Sequence, residues 1–277
     1  MKILVENSLK EKRLTEAIDQ ENYEKLISKI IEDKMKNSLA YKICEIQPLT
    51  SPVGAILSSK FTNKLVVSKT QVEAETHKVK TEITQEALED LTAVSGSYDI
   101  LTNFLRKASD KEENTSFINF LDANAVVSTN IQYDPVAKPN AETRLFYLIE
   151  KIGDIAATIN KDSYKTYTSF CILPYKLAGS ILAMSYTSNF DDEDLNLGTY
   201  KKIKFFLNPD VNNDWVYVGL TQPDDPGSSS VIFSPYQYFA SMGIDPEDGK
   251  EIVNVFNRYK ITMNPLDPQM VHKFKVV

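Results

Sequence analysis

Glu45-Ile46-Gln47-Pro48-Leu49-Thr50-Ser51-Pro52-Val53-Gly54-Ala55-Ile56-Leu57 sets two prolines around a short polar turn and follows them at once with an apolar run. Proline fixes its own φ and donates no backbone hydrogen bond. It also drives its predecessor, here Gln47 and Ser51, toward extended geometry. Gly54 can take a conformation that other residues resist. The stretch is therefore expected to leave a packed body as an extended, bent strand, a form better suited to a projecting arm than to an active site.

Working outward, residues 53–61 read as a strand, and residues 64–80 continue as a second strand after a turn at Asn63-Lys64. Together they make a long ribbon with too few apolar residues for a core of its own, and an isolated hairpin is marginal in water. Upstream, 41–46 reads as a strand. Residues 8–38 carry Leu14, Ile18, Leu26, Ile27, Ile30, Ile31 and Met35 at helical spacing, with an interruption expected at Asp19-Gln20-Glu21-Asn22.

Downstream, Thr81 can cap a helix over 81–94, with Glu82 in its first turn. Gly96 allows a break, helical spacing resumes to Ala108, Lys111-Glu112-Glu113-Asn114 reads as a surface turn, and Phe117 to Leu121 as a short apolar helix. Pro135 and Pro139 mark a boundary. Beyond it come a helix over 140–160, a strand at 166–173, a helix over 175–185 and an acidic loop from Asn189 to Asn196. Strands follow at 201–207, 214–221, 251–263 and 270–277, with a turn-rich loop at 222–230. The pattern is mixed α and β.

At 277 residues the chain can hold one large domain or two small ones, and its 42% hydrophobic content supports a real core. A net charge of −7 argues against a protein that grips nucleic acid, which would present a basic face. Cys44 and Cys171 lie inside expected strands and read as small buried hydrophobes. Met1-Lys2-Ile3-Leu4-Val5 turns polar at Glu6, unlike a signal peptide. No apolar run approaches the ~20 residues of a membrane helix.

Little here suggests catalysis. His77 and His272 each lack a second histidine nearby, and no His/Cys cluster has metal-ligand spacing. Asp191-Asp192-Glu193-Asp194 lacks the glycine and terminal glutamate of a calcium loop. There is no phosphate-cradling Gly-x-x-x-x-Gly-Lys-Ser/Thr loop and no Gly-x-Ser-x-Gly elbow. No cofactor, catalytic residue or metal ligand is expected. The enzyme alternative is a monomeric hydrolase with dispersed carboxylates.

The stretch from Gln47 to Gly54 resembles the Gln-Pro-Met-(Thr/Ser)-Gly-Pro-x-Gly segment of the major capsid proteins of T-even-like tailed phages, with Leu49 and Ser51 as departures. Lys80-Thr81-Glu82-Ile83-Thr84-Gln85-Glu86-Ala87-Leu88-Glu89-Asp90-Leu91 resembles the start of that family's long helix. Phe233-Ser234-Pro235-Tyr236 and the run from Phe256 to Pro265, which includes Arg258 and Tyr259, resemble its C-terminal end. The resemblance implies an α+β fold of the Hong Kong 97 type. Its parts would be an N-terminal helical arm (1–44), a first peripheral part (45–130) with an extended loop (50–80) and a spine helix (81–123), an axial domain (131–249), and peripheral C-terminal strands (250–277).

It further implies self-assembly of identical subunits into hexamers and pentamers, forming an icosahedral virion head built in the host cytoplasm around double-stranded DNA without sequence-specific binding. Portal, vertex or decoration proteins would be partners, and no membrane. The alternatives are a vertex (penton) protein or an encapsulin-type shell protein. The residues expected at assembly contacts are Gln47, Pro48, Pro52, Gly54, Phe61, Leu65, Val67, Arg258 and Tyr259.

Overall fold

The structure is a computed structural model and describes residues 20–61, 65–83, 97–132, 141–163, 169–182, 195–200, 203–221, 229–244 and 251–277. In chain order these form helices α1 (Gln20–Asn37) and α2 (Leu39–Ile43), and strands β1 (Glu45–Ile46), β2 (Val53–Phe61), β3 (Leu65–Glu73) and β4 (Glu75–Ile83). Helix α3 (Ser97–Asn124), strand β5 (Val126–Val127), helix α4 (Ala141–Ser163), strand β6 (Ser169–Leu173) and helix α5 (Tyr175–Leu182) follow. The last strands are β7 (Asn196–Tyr200), β8 (Ile203–Leu207), β9 (Trp215–Leu220), β10 (Val231–Ile244), β11 (Glu251–Met263) and β12 (Val271–Lys275).

A six-stranded mixed sheet runs β5-β12-β9-β6-β8-β7, a four-stranded sheet runs β1-β10-β11-β4, and β2 and β3 form a two-stranded sheet of their own. Strand β6 shows how the first two are joined. Its alternate residues Cys171 and Leu173 face a core closed by Leu148, Ile152, Ala156 and Ile159 of α4. Phe170 and Ile172 face a second core, shared with Phe117, Ile118 and Leu121 of α3, Leu39 and Ile43 of α2, and Phe233, Tyr259 and Ile261 of the four-stranded sheet. A strand buried on both faces reads as a continuous apolar run, as Ser169-Phe170-Cys171-Ile172-Leu173 does.

The strands expected at 53–61 and 251–263 form with those bounds. Other segments differ for identifiable reasons. Within 41–46 only β1 is strand, because Leu39–Ile43 turns into α2, whose first amide, Leu39 N, donates to Asn114 Oδ1 at 2.9 Å. Gln20 to Asn22 are helical in α1, so the expected interruption does not fall on them; Asp19 lies outside the described residues.

The expected 64–80 strand is split. Ala74 N donates to Pro52 O at 2.8 Å, closing the ribbon, and β4 restarts at Glu75 in register with β11. Thr81 to Ile83 pair with Val253 to Glu251 and are strand rather than helix; residues 84–96 lie outside the described set. Lys111 to Asn114 are not a turn but the middle of α3, held there by burial of Glu113 and Asn114. Strands β7 and β10 were not anticipated. Sheet membership also cuts across the expected 131–249 and 250–277 ranges: β10 joins the four-stranded sheet, whereas β12 crosses to the six-stranded one.

Cys44 and Cys171 are both free and buried, one in each core. Burial pushes both thiols well above their ordinary pKa. Native protein should therefore leave Ellman's reagent colourless for minutes, with both thiols reacting at once in guanidinium. Rapid release of one equivalent from native protein would contradict this burial.

Candidate assembly surface

The ribbon is anchored by side chains of the proline stretch. Gln47 Oε1 accepts from Leu57 N at 2.8 Å and Gln47 Nε2 donates to Leu57 O at 2.7 Å, so one amide side chain imitates the pair of bonds a neighbouring strand would supply. The same Nε2 donates to Glu45 Oε1 at 2.6 Å. Behind it, Gln47 N donates to Phe233 O and Leu49 N to Pro235 O, tying the segment along β10. Pro48, lacking a donor, sits exposed between them.

Leu49 is buried with Ile56, Val72, Ala74 and Ile232. Gly54 makes room for it, since a Cβ there would lie 2.7 Å from Leu49 Cδ2. Close approach, not unusual backbone geometry, is thus what the glycine provides. Pro52 is exposed and contributes its carbonyl to the ribbon's closing bond with Ala74.

Beyond this base the ribbon has two unlike faces. Ile56, Ser58 and Val72 are buried, while Val53, Leu57 and Val67 point to the other side and Val67 is 58% exposed. Val66, on the same face as Ile56, is itself 44% exposed, so both faces of the ribbon are open at Val66 and Val67. Phe61 and Leu65 pair across the ribbon at its far end.

Arg258 and Tyr259 lie elsewhere. Arg258 lies over the Tyr236 ring and donates to Gln237 Oε1 at 3.3 Å. Tyr259 is buried in the chain's own core, stacked on His77 with ring centroids 4.2 Å apart, and donates to Glu112 Oε1 at 3.1 Å. The structure therefore groups Gln47, Pro48, Pro52 and Gly54 at the ribbon's base and Phe61, Leu65 and Val67 toward its end, with Arg258 and Tyr259 behind in the four-stranded sheet.

A polar junction joins the N-terminal helices to this body. Lys34, with no exposed surface, donates to Glu113 Oε2 at 3.0 Å and to Ser109 O at 3.3 Å, and lies over the Tyr238 ring. Glu113, equally buried, also accepts from Ser38 Oγ at 2.5 Å and Tyr238 OH at 2.9 Å. Burial first, and then the charge of Glu113, push the Tyr41 and Tyr238 hydroxyls far up, which keeps them neutral donors. For Glu112, burial works to raise the pKa. Hydrogen bonds from His77, Asn257 and Ser116 outweigh it and hold the carboxyl below its ordinary range.

No sequence motif marked Lys34, Ser38, Glu113 or Tyr238. A positional signal exists: Ile27, Ile31, Lys34 and Ser38 continue one helical stripe, as do Leu105, Ser109, Glu113, Phe117 and Leu121. His77 is half-buried, and His272 Nδ1 lies 2.8 Å from Ser128 Oγ. Among the described residues, no three His, Cys, Asp or Glu side chains cluster in a way that could hold a metal ion, and no helix is long and apolar enough to cross a membrane.

Solved structures share this fold. A virus-like particle from Pyrococcus furiosus is similar over 92% of this chain and 100% of its own, with a TM-score of 0.60 at 14% identity. The satellite phage P4 procapsid, solved with its size determination (Sid) protein, contains a chain similar over 96% of this one and 94% of its own, with a TM-score of 0.53 at 9% identity. The fold is the Hong Kong 97-type capsid fold, mixed α and β. Within it, the chain belongs to the Gp23 major capsid protein family, whose model matches residues 61–275. It is also 24% identical over 205 residues to the capsid vertex protein of Vibrio phage KVP40, covering 70% of this chain and 67% of that protein. It is accordingly a phage-type capsid shell protein.

Proposed function

We propose that identical copies of this chain assemble into hexamers and pentamers that close an icosahedral head around double-stranded DNA, each copy laying its β2–β3 ribbon on a neighbour. The observation that carries this reading is the ribbon itself. It is a separate two-stranded sheet, fixed rigidly at its base, with Val53, Leu57 and Val67 turned to solvent. Exposed apolar surface held on a strand pair too small to be stable alone gains free energy when another subunit covers it. The N-terminal helices, ribbon and long helix take the arm, extended-loop and spine roles. Ring symmetry then makes the contacts heterologous, with different surfaces of each copy meeting. DNA is enclosed without sequence reading, consistent with the net charge of −7.

A second reading, occupancy of the five-fold vertices alone, is supported by the likeness to the KVP40 vertex protein. Electron microscopy of particles formed by the chain separates the two: six-fold capsomers favour the major shell role, five-fold capsomers only the vertex role.

The ribbon is tested by replacing residues 59–67 with Asn-Gly, which joins the register pair Ser58 and Ser68 through a turn that two-residue hairpins favour. The variant should fold with unchanged Trp215 emission and urea midpoint yet give no particles on sedimentation. Unfolding would show that the outer ribbon belongs to the chain's own core. Particles at the normal yield would show that it makes no essential contact.

A further inference from the structure

Helix α3 sorts its charges. From Asp110 to Asp122 every acid is engaged inside the chain: Asp110 lies 3.6 Å and Glu113 3.0 Å from Lys34 Nζ, Glu112 accepts from Asn257 and Tyr259, and Asp122 lies 2.8 Å from Lys273 Nζ. The cations of the same stretch go elsewhere. Arg106, Lys107 and Lys111 line a cleft of about 390 Å³ that is also lined by Asn37 at the end of α1, Leu195 before β7 and Pro209 after β8. Lys107 and Lys111 are exposed, and among the described residues no acid pairs with either. A single exposed lysine is ordinarily just solvated. Here two, one helical turn apart, and an arginine converge on one cleft in a chain whose net charge is −7.

The cleft also has a definite side. Phe233 packs with α3, whereas its neighbour Ile232 packs with Ile56 and Val72 of the ribbon. Adjacent residues of a strand point to opposite faces, so α3 and the ribbon lie on opposite sides of the four-stranded sheet. Copies joined on the ribbon's side leave the α3 side to face what the shell holds. We propose that this cleft meets the phosphate backbone of the enclosed double-stranded DNA, with Arg106, Lys107 and Lys111 each neutralising a phosphate. The proposal rests on the assembly reading above and adds to it the face of the subunit that the contents touch. A contact to phosphates alone carries no sequence information. DNA suits the cleft better than an acidic protein segment does, because copies repeated around a shell present the same three cations many times, and a duplex repeats its charge every ~1.7 Å along its axis. Three contacts per copy are few, so one copy holds DNA weakly and releases it as salt rises.

The test uses the full unassembled chain and a fluorescein-labelled DNA duplex, with binding followed by anisotropy as salt is raised from dilute buffer. The logarithm of the association constant should fall against the logarithm of salt with a slope of about −3, alike for duplexes of unrelated sequence. Lys107→Gln and Lys111→Gln should each reduce that slope by about one, and the double variant by about two. Both lysines are exposed, so the variants should keep native Trp215 emission. Lys176→Gln removes the same charge from α5, where Lys176 faces Asp214, and should leave the slope unchanged. Sedimentation of the same proteins under assembly conditions should show particles from parent and variants alike.

Four results overturn the proposal. The first is duplex binding that is absent or insensitive to both lysines, as would follow if the acids Asp191-Asp192-Glu193-Asp194, which precede Leu195 in the chain, already neutralised the cleft. The second is an equal loss from Lys176→Gln, which would reduce the effect to net charge. The third is displacement of the duplex by poly-glutamate at lower charge concentration than by unlabelled DNA, which would assign the cleft to an acidic protein. The fourth is loss of particles from the lysine variants, which would make the cleft a contact between copies. In the first three cases particles from the parent leave the assembly reading standing. If the parent forms no particles while lysine-dependent duplex binding persists, the assembly reading fails and the cleft's affinity for DNA stands.

Discussion

Lys34→Ala should cost about 3–5 kcal/mol of subunit stability in urea unfolding followed by Trp215 fluorescence, a large part of what a domain of this size possesses. The reason is the partner left behind. Glu113 has no exposed surface, and Lys34 is its cationic neighbour at 3.0 Å. Asp110 lies 3.6 Å from the same ammonium, so removing Lys34 leaves two acids facing a vacated site. Ser38 and Tyr238 still donate to Glu113, which sets the expected loss toward the lower end of the range.

The double variant Lys34→Met, Glu113→Leu separates charge from packing. Methionine follows the path of the lysine stem, and removing both charges together avoids stranding one. It should recover most of the loss, falling about 1–2 kcal/mol short because Ser38 and Tyr238 lose their acceptor. A single variant within about 1 kcal/mol of the parent would mean that water reaches Glu113. A double variant as unstable as the single one would mean that packing, not charge, holds the N-terminal helix.

That junction also marks where the sequence stopped being informative. The proline stretch, β2 and β11 were legible because their signals are local: Pro48 and Pro52 dictate extended backbone wherever they occur, and the alternation over 251–263 has only one pleated solution. Of the expected contact residues, those from Gln47 to Gly54 cluster in space because they are adjacent in the chain. Glu113 was misplaced because a charged run ordinarily marks a solvated turn, and its burial depends on Lys34 and Tyr238, 79 and 125 residues away. Tyr259 was placed with the contact residues from the resemblance alone, and its position against His77 depends on a strand pairing that no local pattern announces. Strand β10 escaped for a similar reason: Pro235 argues against a central strand unless a bulge accommodates it, and the register does shift between Pro235 and Gln237.

Gly219→Ala is expected to destabilise the subunit by about 1–3 kcal/mol, a large effect for a single methyl group. Gly219 lies in β9 directly across from Phe170 of β6, and a Cβ there would sit 2.7 Å from both Cε1 and Cζ of that ring and 3.2 Å from Met270 O. Phe170 is fully buried, so its ring cannot swing into water, and the carbonyl belongs to backbone that leads into β12. Gly54 meets a contact of the same length, but with the end methyl of Leu49, a flexible side chain at the edge of a small cluster, so Gly54→Ala should cost less.

The assignment to Phe170 is checked by a double-mutant cycle. Phe170→Leu alone opens space in the core and destabilises. Combined with Gly219→Ala, it supplies the room the methyl needs, so the two losses should fall short of additivity by about 1 kcal/mol or more. Strict additivity, or a neutral Gly219→Ala, would mean that the ring does not occupy this place. Because β9 stands between the core under α4 and the core under α3, loss of packing at Gly219 should lower both sheets in one cooperative transition rather than release one of them.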